Sequence, residues 1–261
     1  MKKLLFAYHY FIYRLNATNE HGVHSPFVYE LLTNVIYNKS DYYVYKKIEE
    51  LREELLGSEK EIKVEDLGAG SLFQKSKTKK IKTIAKNAAK SAKHAQLLFR
   101  LVDHFQPLTV LELGTSLGIS AAYMASANSK IKTISIEGCP ETAKIAAQNF
   151  EKIEIKNVEQ FIGNFDAILP DIVEKREEID FVLFDGNHRK KATLNYFLTC
   201  LEKASENSVF IFDDINWSDE MREAWQEIKD HEQVTVTIDL FFMGIVFFRK
   251  EQAKQHFIIK F

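Results

Sequence analysis

Val110-Leu-Glu-Leu-Gly-Thr-Ser-Leu-Gly-Ile-Ser120 is the stretch whose reading decides the fold. An apolar run enters Gly114 and a helical pattern leaves Gly118, as in a strand, a tight turn and a helix start. Glycine allows sharp turns and close backbone approach to a ligand. The spacing is Gly-x-x-x-Gly. A dinucleotide fold shows Gly-x-Gly-x-x-Gly, and a P-loop needs Gly-Lys followed by Ser or Thr. Neither is present, so the loop suits a nucleoside ligand without a pyrophosphate. The next strand ends in Ile134-Ser-Ile-Glu137-Gly138. An acid about 20 residues past the glycine turn is placed to accept both ribose hydroxyls. Glu112 either orients the loop or meets a cofactor's ammonium group. Thr115, Ser116, Gly118 and Ser120 complete the expected cofactor loop, with Gly138 beside Glu137.

A rival stands upstream in Ile62-Lys-Val-Glu-Asp-Leu-Gly-Ala-Gly-Ser71. Lys75, Lys77, Lys79, Lys80 and Lys82 follow it, and no strand ending in an acid comes before Pro107. It is read as a turn or lid, and the lysines as a solvated face.

Outward from the loop, apolar runs alternate with helical stretches. Strands are expected at Thr109–Leu113, Lys132–Glu137, Val158–Ile162, Asp180–Asp185 and Ser208–Asp213. Such alternation implies βαβ units and a doubly wound, mostly parallel sheet. Two last strands, Val234–Leu240 and Gly244–Phe248, lie too close together for a crossover helix and must be antiparallel. The expected fold is α/β and Rossmann-like, with seven strands and a C-terminal hairpin. Residues 1–106 read as a mainly helical region, including Tyr45–Leu56 and Ile81–Phe105, and residues 107–261 as the cofactor-binding domain.

Of the 261 residues 46% are hydrophobic, enough for one sizeable core, and the net charge is −2. A dedicated nucleic-acid binder usually carries a basic excess, so no such partner is expected. Cys139 and Cys200 form no metal-ligand spacing, which fits a reduced, cytoplasmic compartment. No run suits a bilayer span. The N-terminal Met1–Arg14 stretch resembles a signal peptide only superficially, because His9, tyrosines and Arg14 interrupt it. It reads as an aromatic amphipathic helix that packs on the core, pairs with a second copy as a homodimer, or touches a membrane surface. His21 and His24 lack companion ligands and are not expected to bind metal.

Residues 96–249, about three-fifths of the chain, resemble the O-methyltransferases of the catechol and caffeoyl-CoA type. Gln96-Leu-Leu and the glycine loop resemble that family's helix and loop. Phe181-Val-Leu-Phe-Asp185-Gly-Asn-His and Phe210-Ile-Phe-Asp213-Asp214 resemble its fourth and fifth strands. The chain also resembles an uncharacterised bacterial class I methyltransferase group sharing its N-terminal region. The resemblance implies S-adenosylmethionine as cofactor and a small-molecule hydroxyl as methyl acceptor. It also places Asn164 and Phe165, after the third strand, near adenine.

Asp185, Asp213 and Asp214 fall at the carboxyl ends of parallel strands, the edge where open α/β sheets bind ligands. Three acids there suit a hard cation such as Mg²⁺, which would ease ionisation of a bound hydroxyl. Asp214 departs from the family's Asn, and one Asp would otherwise cap a loop. Asp185 is also expected beside the cofactor, and His188, three positions on, is the expected general base, with Lys191 weaker. Trp217 and Trp225 are candidate pocket walls, Trp225 better suited to the core. Two other readings differ in class: methylation of RNA or protein, supported by the Lys75–Lys93 stretch, and a non-catalytic S-adenosylmethionine-binding protein. The acids at three strand ends favour an enzyme.

Overall fold

Short apolar runs bounded by turns form the strands, and the longer stretches between them carry one apolar stripe each. The computed structural model describes residues 2–65, 77–88 and 90–261. In chain order come α1 (Lys2–Asn16), α2 (Pro26–Leu31), α3 (Tyr43–Gly57), β1 (Glu61–Val64), β2 (Lys77–Lys80), α4 (Ile81–Ala88), α5 (Ala92–Phe105), β3 (Thr109–Leu113), α6 (Ile119–Ser126), β4 (Lys132–Glu137) and α7 (Pro140–Lys152). Then follow β5 (Val158–Ile162), α8 (Phe165–Glu174), β6 (Phe181–Phe184), α9 (Lys190–Leu201), β7 (Val209–Asp213), α10 (Asp219–Asp230), β8 (Val236–Asp239), β9 (Met243–Phe247) and β10 (Gln255–Ile258). The fold is mixed α/β with a mostly parallel central sheet of eight strands. The chain divides into two compact units, residues 39–172 and residues 1–38 with 173–261.

In the unit of residues 39–172, β3, β4 and β5 lie parallel in that order. The helices α6 and α7 supply the crossovers that parallel neighbours require. A core including Tyr45, Ile48, Phe99, Tyr123, Ala146 and Phe150 joins α3, α5, α6 and α7. Glu49 fixes α3 on α6: it accepts from the Tyr123 hydroxyl at 2.7 Å and from Arg52 Nε at 3.0 Å. The strands β1 and β2 form a separate antiparallel pair. Lys80 and Lys82 both meet Glu59, while Lys77 and Lys79 are exposed. The glycines of the rival motif, and Lys75, lie outside the described residues. The stretch read as helical over Ile81–Phe105 is two helices. The second restarts at Ser91, whose carbonyl accepts from His94 and Ala95, a residue type that favours helix starts over interiors.

In the other unit, β6 and β7 are parallel, β9 is antiparallel to both β7 and β8, and β10 runs parallel to β8. The expected hairpin is β8–β9, closed by Leu240-Phe-Phe242 with Phe241 at φ 71°. All seven expected strands are present and β10 is the eighth. Its Gln255-His-Phe-Ile258 sequence is short, polar at its start and mostly exposed, so it carries no strand pattern. Its end is tied down: Lys260 N–H donates to the Thr18 carbonyl at 2.8 Å, and the Tyr13 hydroxyl to the Ile259 carbonyl at 2.5 Å. Phe184 and Phe212 stack at 4.4 Å between β6 and β7.

Trp225, on α10, is buried against β9, whereas Trp217 is 66% exposed. A Cβ at Gly244 would stand 2.5 Å from the Trp225 ring. Gly244→Ala is therefore expected to cost about 1–3 kcal/mol in urea unfolding through overpacking. Gly57→Ala, which meets open space, should cost nothing; equal behaviour of the two variants would refute this packing.

Candidate active site

The strand β4 ends in Glu137, whose carboxylate reaches back across the glycine loop. Its Oε2 accepts from Ser116 N–H at 2.8 Å and its Oε1 from Cys139 N–H at 2.9 Å. Burial raises the Glu137 pKa, and the N–H groups of Cys139, Ser116 and Gly138 oppose that rise. The residue is half-exposed, as are Gly114, Ser116 and Gly138. Ser116 has φ 48° and Gly118 φ 84°, and a Cβ at Gly118 would stand 2.7 Å from the Phe150 ring. Only glycine meets both conditions there. The loop is bound at both ends. Gly114 N–H donates to the Ile136 carbonyl at 2.9 Å, and Asn149 Nδ2 to the Leu117 carbonyl at 2.8 Å.

Glu112 lies wholly inside, 0% exposed. Its Oε1 accepts from the Ser120 hydroxyl at 2.5 Å, and its Oε2 accepts from the Ser135 hydroxyl, which also meets Thr115. Of the two roles expected for Glu112, the geometry serves the first: the carboxylate joins strand, loop and helix beneath the turn. The hydroxyls of Thr115 and Ser120 make these internal bonds. Burial pushes the Glu112 carboxyl up to about 7, against the hydrogen bonds from Ser120 and Ser135 and the charge of Lys90. Asn164 is exposed, and its Oδ1 accepts from Asp166 N–H at 2.8 Å at the start of α8. Phe165, the first residue of that helix, is half-buried.

In the unit of residues 1–38 and 173–261, Asp185 follows β6, Asp213 ends β7, and both are half-exposed. Asp214 takes φ 55°; its N–H donates to the Phe242 carbonyl at 2.7 Å. His188 Nε2 stands 3.8 Å from Asp214 Oδ2. Asn187, at φ 54°, donates through Nδ2 to the Tyr196 hydroxyl at 2.9 Å and turns the chain between Asp185 and His188. Among the described residues no group of three or more His, Cys, Asp or Glu side chains is arranged to hold a metal ion, the acids at 185, 213 and 214 included. His21 and His24 are exposed. Sequence reasoning missed Ser135, Asn149, Tyr196 and the Cys139 N–H. Ser135 alone carried a signal, as a polar residue inside a buried strand.

Residues 111–215 match the family model of a methyltransferase domain. The comparison with curated proteins found no match. In fold the chain is similar to the O-methyltransferase TomG from Streptomyces achromogenes, involved in tomaymycin synthesis and solved with SAM, at 22% identity, TM-score 0.55, over 62% of this chain and 82% of that one. It is similar to the O-methyltransferase from Bacillus cereus in complex with SAH, at 18% identity, TM-score 0.56, over 81% and 93%. The SAH-bound methyltransferase PaMTH1 of Podospora anserina aligns at 12% identity, TM-score 0.56, over 82% and 100%. The glycine loop, Glu137, Asp185 and the Asp213-Asp214 pair all fall within the matched residues 111–215.

The buried Glu112 makes stability depend on pH. Folded, it keeps its proton up to about 7; unfolded, it loses it near its ordinary value of 4.5. Between these values the folded state holds the extra proton, so stability falls as pH rises and levels off above 7. Between pH 5 and 8 the wild type is expected to lose about 3 kcal/mol more than Glu112→Gln in urea unfolding. Identical pH profiles would contradict the burial of this acid.

Proposed function

We propose that the chain transfers a methyl group from S-adenosylmethionine to a hydroxyl of a small molecule. One observation carries the reading: a half-exposed carboxylate at the end of β4 is held by the backbone of the glycine loop. A carboxylate accepts about four hydrogen bonds, more than the backbone supplies here, and two neighbouring ribose hydroxyls suit the remainder. The methyltransferase domain over 111–215 supports the reaction class. Three fold neighbours named as methyltransferases, solved with SAM or SAH, support the cofactor.

In this reading Glu137 binds the ribose. The backbone of Gly114, Ser116, Gly118 and Gly138 borders the ligand, and Asn164 and Phe165 take the adenine. Thr115, Ser120 and Glu112 act from below, by holding the loop in shape. When bound, S-adenosylmethionine supplies a methyl group on a positively charged sulfur, open to attack by oxygen. His188 takes the acceptor hydroxyl's proton on its imidazole, and the Asp214 carboxylate steadies the charge that forms. Asp185 orients the acceptor or the cofactor at the end of β6. Asp185, Asp213 and Asp214 do not form a metal-holding group, so no step is routed through Mg²⁺. Residues 107–261 are the catalytic domain of this proposal, the first 106 residues serve acceptor selection, and the compartment is the cytoplasm.

Isothermal titration with S-adenosylmethionine tests the reading. Micromolar binding is expected, roughly 100-fold weaker in Glu137→Ala, since two hydrogen bonds to a charged group are lost. His188→Gln should bind as the wild type does, and EDTA should change nothing. Absence of binding, or binding of NADH instead, would remove the methyltransferase reading, and a loss of binding in EDTA would restore the metal.

A further inference from the structure

We infer that α1 docks the protein on an anionic membrane surface. The helix has two apolar faces, and only one is covered. On the inner face Tyr13 is buried, and the rings of Phe6 and Tyr10 lie 5.2 and 4.9 Å from Phe241. On the outer face Leu4, Tyr8, Phe11 and Leu15 are 78%, 57%, 59% and 66% exposed. Positions 4, 8, 11 and 15 follow the helical repeat, so these side chains form one stripe. A contiguous apolar stripe in water marks an interaction surface, where single exposed apolar residues would not.

The charge of the helix selects the occupant. Lys2–Asn16 contains Lys2, Lys3 and Arg14 and no Asp or Glu, in a chain whose net charge is −2. A second copy pairing this stripe about a two-fold axis would run parallel or antiparallel. Either way a helix with basic residues and no acid would face its own copy, with nothing on the helix to offset the like charge. Lipid phosphates offset all three. An apolar stripe of Leu, Tyr and Phe with basic residues and no acid is the pattern of a helix lying in a lipid interface. At 15 residues α1 is too short to cross a bilayer, and no described helix is long and apolar enough to do so.

The inner face ties this surface to the candidate site. Phe6 and Tyr10 also lie against Phe242, 6.0 and 6.4 Å between ring centres, and the Phe242 carbonyl accepts the Asp214 N–H. Docking through α1 would therefore hold the Asp214 turn next to the lipid surface, where an acceptor dissolved in the membrane would be met. That consequence rests on the proposed function; the docking itself does not.

Co-sedimentation of the full chain with vesicles decides it. Binding to phosphatidylcholine vesicles containing phosphatidylglycerol should exceed binding to phosphatidylcholine alone by at least about tenfold, and should weaken with added salt. Phe11→Glu and Leu15→Glu, both at exposed positions, should abolish binding while leaving circular dichroism and S-adenosylmethionine titration as in the wild type. No sedimentation with either vesicle, or equal binding to both, would overturn the proposal. So would a dimer in analytical ultracentrifugation that Phe11→Glu splits in a protein that ignores vesicles, which assigns the stripe to a second copy. Failure of S-adenosylmethionine to bind would leave the vesicle result standing.

Discussion

The glycine loop is held by hydrogen bonds from its own backbone to a carboxylate, and the arrangement around it follows from that constraint. For Glu137 to reach Ser116 N–H and Cys139 N–H together, the chain between β3 and α6 must turn through left-handed geometry. Ser116 and Gly118 adopt it. Position 118 must then lack a side chain, because Phe150 fills the space where one would go. The turn brings α6 back onto β3 and β4, as a βαβ unit requires. The same bonds favour the charged form of Glu137 against burial, which raises its pKa. A carboxylate fixed in this way needs no rearrangement to receive a ligand's hydroxyls.

Beneath the loop a second acid does different work. Glu112 is wholly buried and its bonds go to Ser120 and Ser135, so it ties β3, β4 and α6 together. Two acids on neighbouring strands thus divide the tasks. One holds the frame, its proton retained by burial, and the other faces outward with acceptor capacity to spare. In the other unit, the Asp214 turn is fixed by Phe242, and His188 faces Asp214 across 3.8 Å.

The strands were legible in the sequence because apolar runs bounded by turns have few alternatives. Thr109–Leu113, Lys132–Glu137 and Val158–Ile162 are strands at the residues expected. The Gly-x-x-x-Gly spacing and the acid after the next strand located the loop, since both follow from backbone geometry. The destination of side chains was less legible. Glu112, Thr115 and Ser120 stand beside the turn in sequence, but their polar atoms bond inward, which depends on Ser135 from another strand. Strand β10 escaped notice because its pairing is set by β8 and by Tyr13 and Thr18 far away in sequence. The acids at 185, 213 and 214 were each placed correctly at strand ends, yet strand-end position does not fix the distances among carboxylates that a metal requires.

The loop gripped by Glu137 is the proposed site of S-adenosylmethionine. A crystal structure of the chain grown with S-adenosylhomocysteine addresses it most directly. Both ribose hydroxyls are expected within hydrogen-bond distance of the Glu137 carboxylate, with the backbone from Gly114 to Gly118 against the ligand. A ligand bound away from this loop, or beside it with Glu137 still bonded only to the backbone, would contradict it.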